Sequence, residues 1–285
     1  MDGSDVEYAS VSRMQRSHSS GRLVVAALKG RSHLKRLFET DALKLRFPKN
    51  NITYALEGIL VNTAGGLAGG DSLSLNIHVE KGADLTITSQ ACERVYKSLE
   101  EEAVVDLRLR ADADSNLIWA PQETIIYNNA RLTRTIDVTL SPSSTFLAIE
   151  AIIWGRELMG EQVRNGALRD SWRIKVGDQL VHAENTRLEG DIHMQMQNGV
   201  VAKGGRATAT LLMVGANCEK HLHACRSICA SANGVVGGAS HWHVGPYAKL
   251  LIRLVGDTSY DLRKCVVQLV MQLSSNGIPP RVWSL

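Results

Sequence analysis

The stretch VVDLRLR, residues 104–110, carries the pattern that decides the fold. Its apolar residues Val105, Leu107 and Leu109 occupy every second position, and charged residues fill the positions between them. Because side chains alternate across a strand, this period of two predicts a strand with one buried and one solvated face. The pattern recurs in LSLNIHV (73–79), RLTRTIDVTL (131–140), SWRIKV (171–176), RATATLLMV (206–214) and AKLLIRLV (248–255). The sequence therefore predicts an all-β protein.

Turn signals separate these segments, among them Lys81-Gly82, Gly177-Asp178 and Asn198-Gly199. Their spacing suits hairpins and is too short for crossover helices. We therefore expect many-stranded antiparallel sheets, stacked as a β-sandwich or in a β-helix-like arrangement. The polar run at 185–205 is predicted to be a loop.

Two segments depart from this pattern and show helical spacing. Cysteines 218, 225 and 229 share one face with Leu222, and a second apolar stripe runs from Leu262 to Leu273. Apolar residues three and four apart on flanked segments predict amphipathic helices. The expected helices span residues 217–231 and 260–274.

Composition and charge narrow the classes of partner. The 32 basic and 29 acidic residues are mixed along the chain and leave a net charge of +3, so we expect no nucleic acid partner. The apolar runs are far shorter than the roughly 20 residues of a membrane span, so we expect no membrane partner. Five cysteines, an odd number in a long chain, favour a reducing cytoplasm. Residues 1–20 are expected to be a disordered tail, and residues 21–285 a single β domain.

The glycine-rich stretch NTAGGLAGGD, residues 62–71, could be a phosphate loop or a tight turn. A phosphate loop needs a following helix whose N-terminal amides face the anion, but a predicted strand follows Asp71. The stretch also lacks the lysine of a nucleotide-binding loop. We therefore interpret it as a bend at which glycine permits positive φ angles and close backbone approach.

Two further sets of residues could carry chemistry. The cysteines and histidines at 218–229, with His241 and His243, could bind zinc, copper or nickel, but the cysteines coincide with an apolar stripe and are predicted to be core residues. The second set comprises carboxylates beside strands: Asp71, Glu93, Glu123, Glu150, Glu161 and Glu184. Glu150 interrupts the apolar segment TFLAIEAIIW, where a carboxylate must be paired, hydrated or functional. Two such groups could also be the acid and base of a glycosidase.

Five sequence segments, which follow one another along the chain, indicate a protein family. They are NTAGGLAGGDSLSLNI (62–77), TITSQACERVYKS (86–98), WAPQETIIYNNARL (119–132), GRELMGE (155–161) and PPRVW (279–283). Together they resemble the urease accessory protein family UreD, also called UreH, over residues 20–285. The chain departs from the family where Ala120 replaces a leucine and where residues 271–275 lack a usual tryptophan.

The resemblance implies an all-β fold with two helices and a non-catalytic role. UreD-like proteins act with UreF and the GTPase UreG on urease apoprotein, into which nickel is inserted. The resemblance thus implies a scaffold or chaperone with no tightly bound cofactor. Transient nickel ligands must release the ion, and carboxylates suit that better than thiolates. The expected polar conduit for Ni²⁺ consists of Asp71, Glu93, Glu150, Glu161 and Glu184.

Two alternatives stay open from the residues alone. A carbohydrate-active or ligand-binding β-sandwich would need an open cleft with convergent carboxylates and stacking aromatics, and aromatic residues make up only 5% of the chain. A metal store would use the cysteine and histidine cluster.

Overall fold

The structure is a computed structural model that describes residues 16–49, 54–274 and 277–283. Most of the described chain is in β-strands, as predicted. The strands, in chain order, are β1 (His18–Leu28), β2 (Arg31–Glu39), β3 (Leu43–Arg46), β4 (Leu56–Asn62), β5 (Ser72–Val79), β6 (Asp84–Ser89), β7 (Glu93–Val95), β8 (Ala103–Ala111), β9 (Asn116–Trp119), β10 (Thr124–Ile126), β11 (Arg131–Leu140), β12 (Thr145–Trp154), β13 (Gly166–Val176), β14 (Gln179–Gly190), β15 (Ala207–Val214), β16 (Val235–Val244) and β17 (Tyr247–Gly256).

The described helices include both predicted ones. They are α1 (Ile192–Gln197), α2 (Leu222–Ser231), which follows a 3-10 turn at Cys218–His221, and α3 (Ser259–Leu273). The Thr258 hydroxyl caps α3 by accepting a hydrogen bond from the Asp261 amide at 3.1 Å, since the first helical amides have no partner within the helix. No helix among the described residues is long and apolar enough to cross a membrane.

The strands form two sheets, and the chain passes repeatedly from one to the other. The first sheet has the order β14-β13-β11-β8-β5-β1-β2, and the main path of the second is β16-β17-β15-β12-β9-β6-β4-β3, with β7 and β10 beside it. Strands β5, β8, β11 and β13 belong to the first sheet, and β6, β9 and β12, which lie between them along the chain, belong to the second. This is the stacking of a β-helix.

The prediction of antiparallel sheets is wrong for the centre of both sheets. In the first sheet β1, β5, β8, β11 and β13 are parallel neighbours, and in the second β4, β6, β9 and β12 are. Parallel neighbours need a return connection, which in most proteins is a helix. Here a strand of the opposite sheet provides the return, so short turns are compatible with parallel pairing. Antiparallel pairs lie toward the sheet edges, for example β13 with β14 and β15 with β17.

Strand β12 is buried on both faces, because the first sheet covers one and the helices cover the other. Phe146 and Ala148 pack in the apolar cluster between the sheets, whereas Leu147 and Ile149 pack with α2 and α3. This explains why TFLAIEAIIW is nearly continuous in apolar residues, as strands covered on both faces are. Glu150 is in register with the face that points between the sheets.

Two local predictions need correction. The polar run at 185–205 contains the end of β14 and helix α1, whose N-terminus is capped by the Asp191 carboxylate accepting from the Met194 amide at 2.9 Å. Polar residues at a sheet edge and at a helix cap are compatible with regular structure, so polarity alone was a poor loop signal.

Residues 1–15 of the predicted tail lie outside the described residues, but His18 already pairs with Ser72 in β1 and β5.

The glycine-rich stretch forms a tight bend between β4 and β5, as predicted. Gly66 and Gly70 have φ angles of 153° and 86°, which other residues rarely adopt. A Cβ atom on Gly66 would lie 2.7 Å from the carbonyl oxygen of Arg94. Asp71 closes the bend because its carboxylate accepts hydrogen bonds from the amides of Ser17 at 2.9 Å and Ala68 at 2.7 Å.

We expect Gly66→Val to lower the free energy of unfolding by about 2–4 kcal/mol, since it combines an unfavourable φ angle with a backbone clash. Gly199→Val is the matched control: Gly199 has no positive φ angle, and its Cβ would meet no atom within 4 Å. Chemical denaturation of both variants measures the difference. Equal stability of the two variants would contradict the bend assignment.

Candidate functional site: buried carboxylates between the two sheets

A buried ion cluster lies between the sheets at Arg134. Its Nε and Nη2 donate to the two carboxylate oxygens of Asp170, at 3.0 and 2.5 Å, and its Nη1 donates to Oε2 of Glu150. The indole nitrogen of Trp119 donates to Oε1 of Glu150 at 2.8 Å, and that of Trp172 to Oδ1 of Asp170 at 3.1 Å. The three ionic side chains are each no more than 8% exposed. Every carboxylate oxygen of the cluster therefore has a donor.

Strand pairing places these groups together. Arg134 and Asp170 are register partners in the parallel strands β11 and β13. Glu150 approaches from β12 in the second sheet, so the cluster joins the two sheets across the interior. The residues in register with them on β8 and β5 are Val105 and Leu73, which are apolar. These register positions thus change from apolar to charged toward one end of the first sheet.

The cluster carries an excess of negative charge, with two carboxylates facing one guanidinium. Burial raises the pKa of Glu150, and the nearby charge of Asp170 adds to the rise, although Arg134 and Trp119 oppose it. The net pKa of Glu150 lies above its ordinary value. The carboxylates in turn raise the pKa of Arg134 against the effect of burial, so the guanidinium stays charged.

Two cavities adjoin this cluster. The smaller, of about 60 Å³, is lined mainly by apolar side chains, with Glu93, Arg134 and Glu150 among its polar ones, and the larger, of about 270 Å³, has a mixed lining that includes Glu150, Asp170 and Glu184. Glu150 borders both cavities. We call the line from Glu93 through Glu150 to Glu184 the carboxylate row.

Glu93 is one of the residues that line the smaller cavity. Its Oε1 accepts a hydrogen bond from Asn62 Nδ2 at 3.0 Å. Burial raises the pKa of Glu93 to about 7, although the bond from Asn62 opposes the rise. Near neutral pH this carboxyl group therefore exists in both protonation states, and an arriving cation would displace its proton.

Glu184 borders the larger cavity with a different environment. Its Oε2 lies 2.8 Å from Arg253 Nη2 and 3.5 Å from His182 Nε2. Burial raises the pKa of Glu184, but His182 and Arg253 outweigh that effect, and the net pKa is below its ordinary value. At neutral pH Glu184 is therefore ionised, whereas Glu93 is present in both protonation states.

The structure places the other two predicted carboxylates apart from these cavities. Asp71 closes the glycine bend with both oxygens bound to backbone amides, as described above. Glu161 pairs with Arg156, whose Nε and Nη2 each lie 3.0 Å from one carboxylate oxygen, and this bonding lowers the pKa of Glu161. Both side chains hold loops in place, and neither lines the cavities beside Glu150.

The cysteines pack in the core, as predicted. Cys218, Cys225, Cys229 and Cys265 are buried in the cluster beneath α2 and α3. Burial raises the pKa of Cys218 to about 11 and that of Cys225 to about 12, which keeps both as neutral thiols and poor metal ligands. Within residues 16–49, 54–274 and 277–283, no group of three or more His, Cys, Asp or Glu side chains is arranged to hold a metal ion.

Sequence reasoning missed Arg134 and Asp170, although the alternation pattern contains both. In RLTRTIDVTL the inward positions include Leu132, Arg134 and Ile136, so an arginine stands among apolar residues. Asp170 is likewise in phase with the buried Trp172. A charged residue on the apolar side of an alternating strand is the signal that could have found them.

The fold and this site define a β-helix-like protein with carboxylates along interior cavities. The profile of the UreD urease accessory protein family matches residues 17–284. The chain is 41% identical over 272 residues to urease accessory protein UreD of Brucella suis, covering 95% of this chain and 96% of that protein. It is 42% identical over 274 residues to UreD 1 of Brucella anthropi, covering 95% of each chain, and 38% identical over 280 residues to UreD of Sinorhizobium medicae, covering 98% of this chain and all of that protein.

The chain therefore belongs to the UreD family of urease accessory proteins. Its role lies in urease maturation.

We expect stability to decrease as the pH rises from about 4.5, the ordinary pKa of glutamate, to about 7, the pKa of Glu93 in the folded chain. A carboxyl group whose pKa is higher in the folded state stabilises that state when protonated, so ionisation costs stability. The loss should be on the order of 2 kcal/mol. Glu93→Gln keeps the size and the bond to Asn62 but does not titrate, so its stability should vary less over this range. Urea denaturation at several pH values compares the two proteins, and an identical pH dependence would contradict the assignment.

Proposed function

We propose that this chain supports nickel insertion into urease apoprotein as a non-catalytic member of a complex with UreF and the GTPase UreG. The observation that carries the proposal is the carboxylate row in a chain of the UreD family. The glycine bend supports a division of labour in which the partner hydrolyses GTP, because strand β5, and not a helix, follows it. A cytoplasmic location is part of the proposal, since the cysteines are free thiols, which a reducing compartment preserves.

The carboxylate row is the part of the chain through which Ni²⁺ would pass. Each step offers oxygen ligands from one or two side chains and space for water, as Glu93 and Glu150 do at the smaller cavity. Such a position holds the ion weakly, because a few oxygen ligands bind Ni²⁺ less tightly than a complete set containing imidazole or thiolate. Nickel is thus cargo in this proposal, and the chain has no tightly bound cofactor.

Asp71 and Glu161 enter the proposal in a smaller role than Glu93, Glu150 and Glu184. Their oxygens already accept hydrogen bonds from backbone amides or from Arg156. They would act on nickel transfer through the loops that they hold.

The alternative of a carbohydrate-active or ligand-binding β-sandwich finds less support. A glycosidase needs one carboxyl group free to donate a proton and a second free to attack or to activate water. Glu150 and Asp170 are instead bound to the same guanidinium and buried. Sugar binding by the purified chain would favour this alternative.

The test is complementation in cells that lack the native chain, with urease activity and urease-bound nickel as readouts. We expect Glu150→Gln to reduce both severalfold, because the amide is a weaker cation ligand but keeps the side chain's size. Glu189→Gln is the matched control on β14, where Glu189 is 43% exposed and pairs with Arg187. Pull-down of UreF and UreG with each variant checks assembly. Full activation without this chain would contradict the accessory role, and full activation by Glu150→Gln would contradict passage along the carboxylate row.

A further inference from the structure

Arg134 stands where an ion moving along the carboxylate row would have to bind. It lines the smaller cavity together with Glu93 and Glu150. Its Nη1 donates a hydrogen bond to Oε2 of Glu150, the oxygen to which Trp119 does not donate. A divalent cation and a guanidinium cannot both bind this oxygen in a buried site, because like charges repel strongly where water is scarce. Arginine also cannot avoid the repulsion by losing its proton, so it has to move.

The contacts of Arg134 are unequal, and this sets how it can move. Two of its nitrogens bind both oxygens of Asp170, whereas one nitrogen binds Glu150. Bidentate pairs are stronger and more directional than single contacts. Because the guanidinium is a rigid plane, Arg134 would release Glu150 by tilting together with Asp170 as one bidentate pair, beside the cavity that Arg134 lines.

Glu150 is held for the exchange by a separate contact. The Trp119 indole binds its Oε1 at 2.8 Å, so the carboxylate keeps its position when Arg134 leaves Oε2. The cluster holds two carboxyl groups and one guanidinium, so it gains an excess negative charge, and with it an attraction for a further cation, when both carboxyl groups are ionised. The site thus offers an oxygen that is fixed in place and covered by a displaceable cation.

We propose that Arg134 is a resident counter-ion that gates the carboxylate row: an incoming divalent cation displaces it from Glu150, and its return expels that cation. This inference rests on the proposed passage of Ni²⁺ along the row. Competition from Arg134 keeps binding at Glu150 weak, which suits transfer rather than storage. Arg134 acts on the ion through Glu150 and is a positioning residue in this scheme.

The experiment measures Ni²⁺ binding to the purified full-length chain by equilibrium dialysis with metal analysis. Arg134→Gln removes the competing charge, so we expect this variant to bind one more Ni²⁺ per chain than wild type. The affinity for this ion should be at least tenfold higher than that of any wild-type Ni²⁺ site that the Glu150→Gln substitution removes. The double variant Arg134→Gln/Glu150→Gln should lose this ion. Arg187→Gln is the matched control, since Arg187 is 70% exposed and pairs with Glu189 on the surface. An Arg134→Gln protein that is folded and binds no more Ni²⁺ than wild type would overturn the gate.

A second measurement covers the case in which Arg134→Gln does not fold. In wild-type chain labelled with ¹⁵N-arginine, the Nε resonance of Arg134 is identified by its absence from the Arg134→Lys spectrum. Titration with diamagnetic Zn²⁺ should shift this resonance and leave that of Arg187 unchanged, and Glu150→Gln should abolish the shift. An unchanged Arg134 resonance at saturating Zn²⁺ would overturn the gate. Both measurements omit urease, UreF and UreG, so their failure is distinct from failure of complementation, which tests the proposed function.

Discussion

The return of the chain through the opposite sheet is the constraint on which this structure depends. Because a strand of one sheet is followed by a strand of the other, neighbours within a sheet run in parallel and stack in register. Leu75, Leu107, Ile136 and Trp172 form one such row across β5, β8, β11 and β13. Parallel strands that are covered on one face by another sheet do not need crossover helices, which leaves the two predicted helices free to cover the outer face of β12. The space between the two sheets is therefore filled by the inward-facing side chains of their strands.

The charges at those inward positions are costly to bury, and this cost argues for a role beyond stability. Transferring three ions out of water is repaid only when geometry is good and every remaining lone pair is satisfied. Trp119 donates to the Glu150 oxygen that Arg134 does not bind, and Trp172 donates to an Asp170 oxygen that Arg134 also binds, so every carboxylate oxygen of the cluster has a donor. A chain with apolar residues at these positions would fold as well, since the register partners Leu73 on β5 and Val105 on β8 are apolar. The cation handling proposed above would account for a charged set at these positions, whereas packing alone does not require one.

Much of the fold could be predicted from alternation, and the errors have one cause. The period of two in VVDLRLR correctly identified Leu107 and Leu109 as buried and Arg108 and Arg110 as exposed. It could not identify the neighbour of that strand, because pairing direction depends on long-range connections that a local pattern does not encode. The helices were found because their spacing and flanking residues are local signals. Short turns predict hairpins, and Gly177-Asp178 does join the antiparallel pair β13 and β14, whereas Lys81-Gly82 joins β5 and β6 of different sheets.

The sequence could identify a site residue that interrupts an apolar segment, such as Glu150. It was less able to identify the residues that pair with it. Glu150 was recognised because nine of the ten positions in its strand are apolar or small enough to pack, and its need for a partner followed from burial. That its partner is Arg134 depends on which strand lies opposite, which is again a tertiary property. Asp71 and Glu161 could not be separated from the carboxylate row by sequence, since a carboxylate that closes a loop and one that borders a cavity look alike until their hydrogen-bond donors are known. Donors that are fixed, such as the backbone amides at Asp71, leave no room for exchange, whereas a side-chain donor such as Arg134 can be displaced. Fixed backbone donors therefore mark Asp71 as a structural acid, whereas Glu161, which the Arg156 side chain binds, is set apart by its position outside the two cavities.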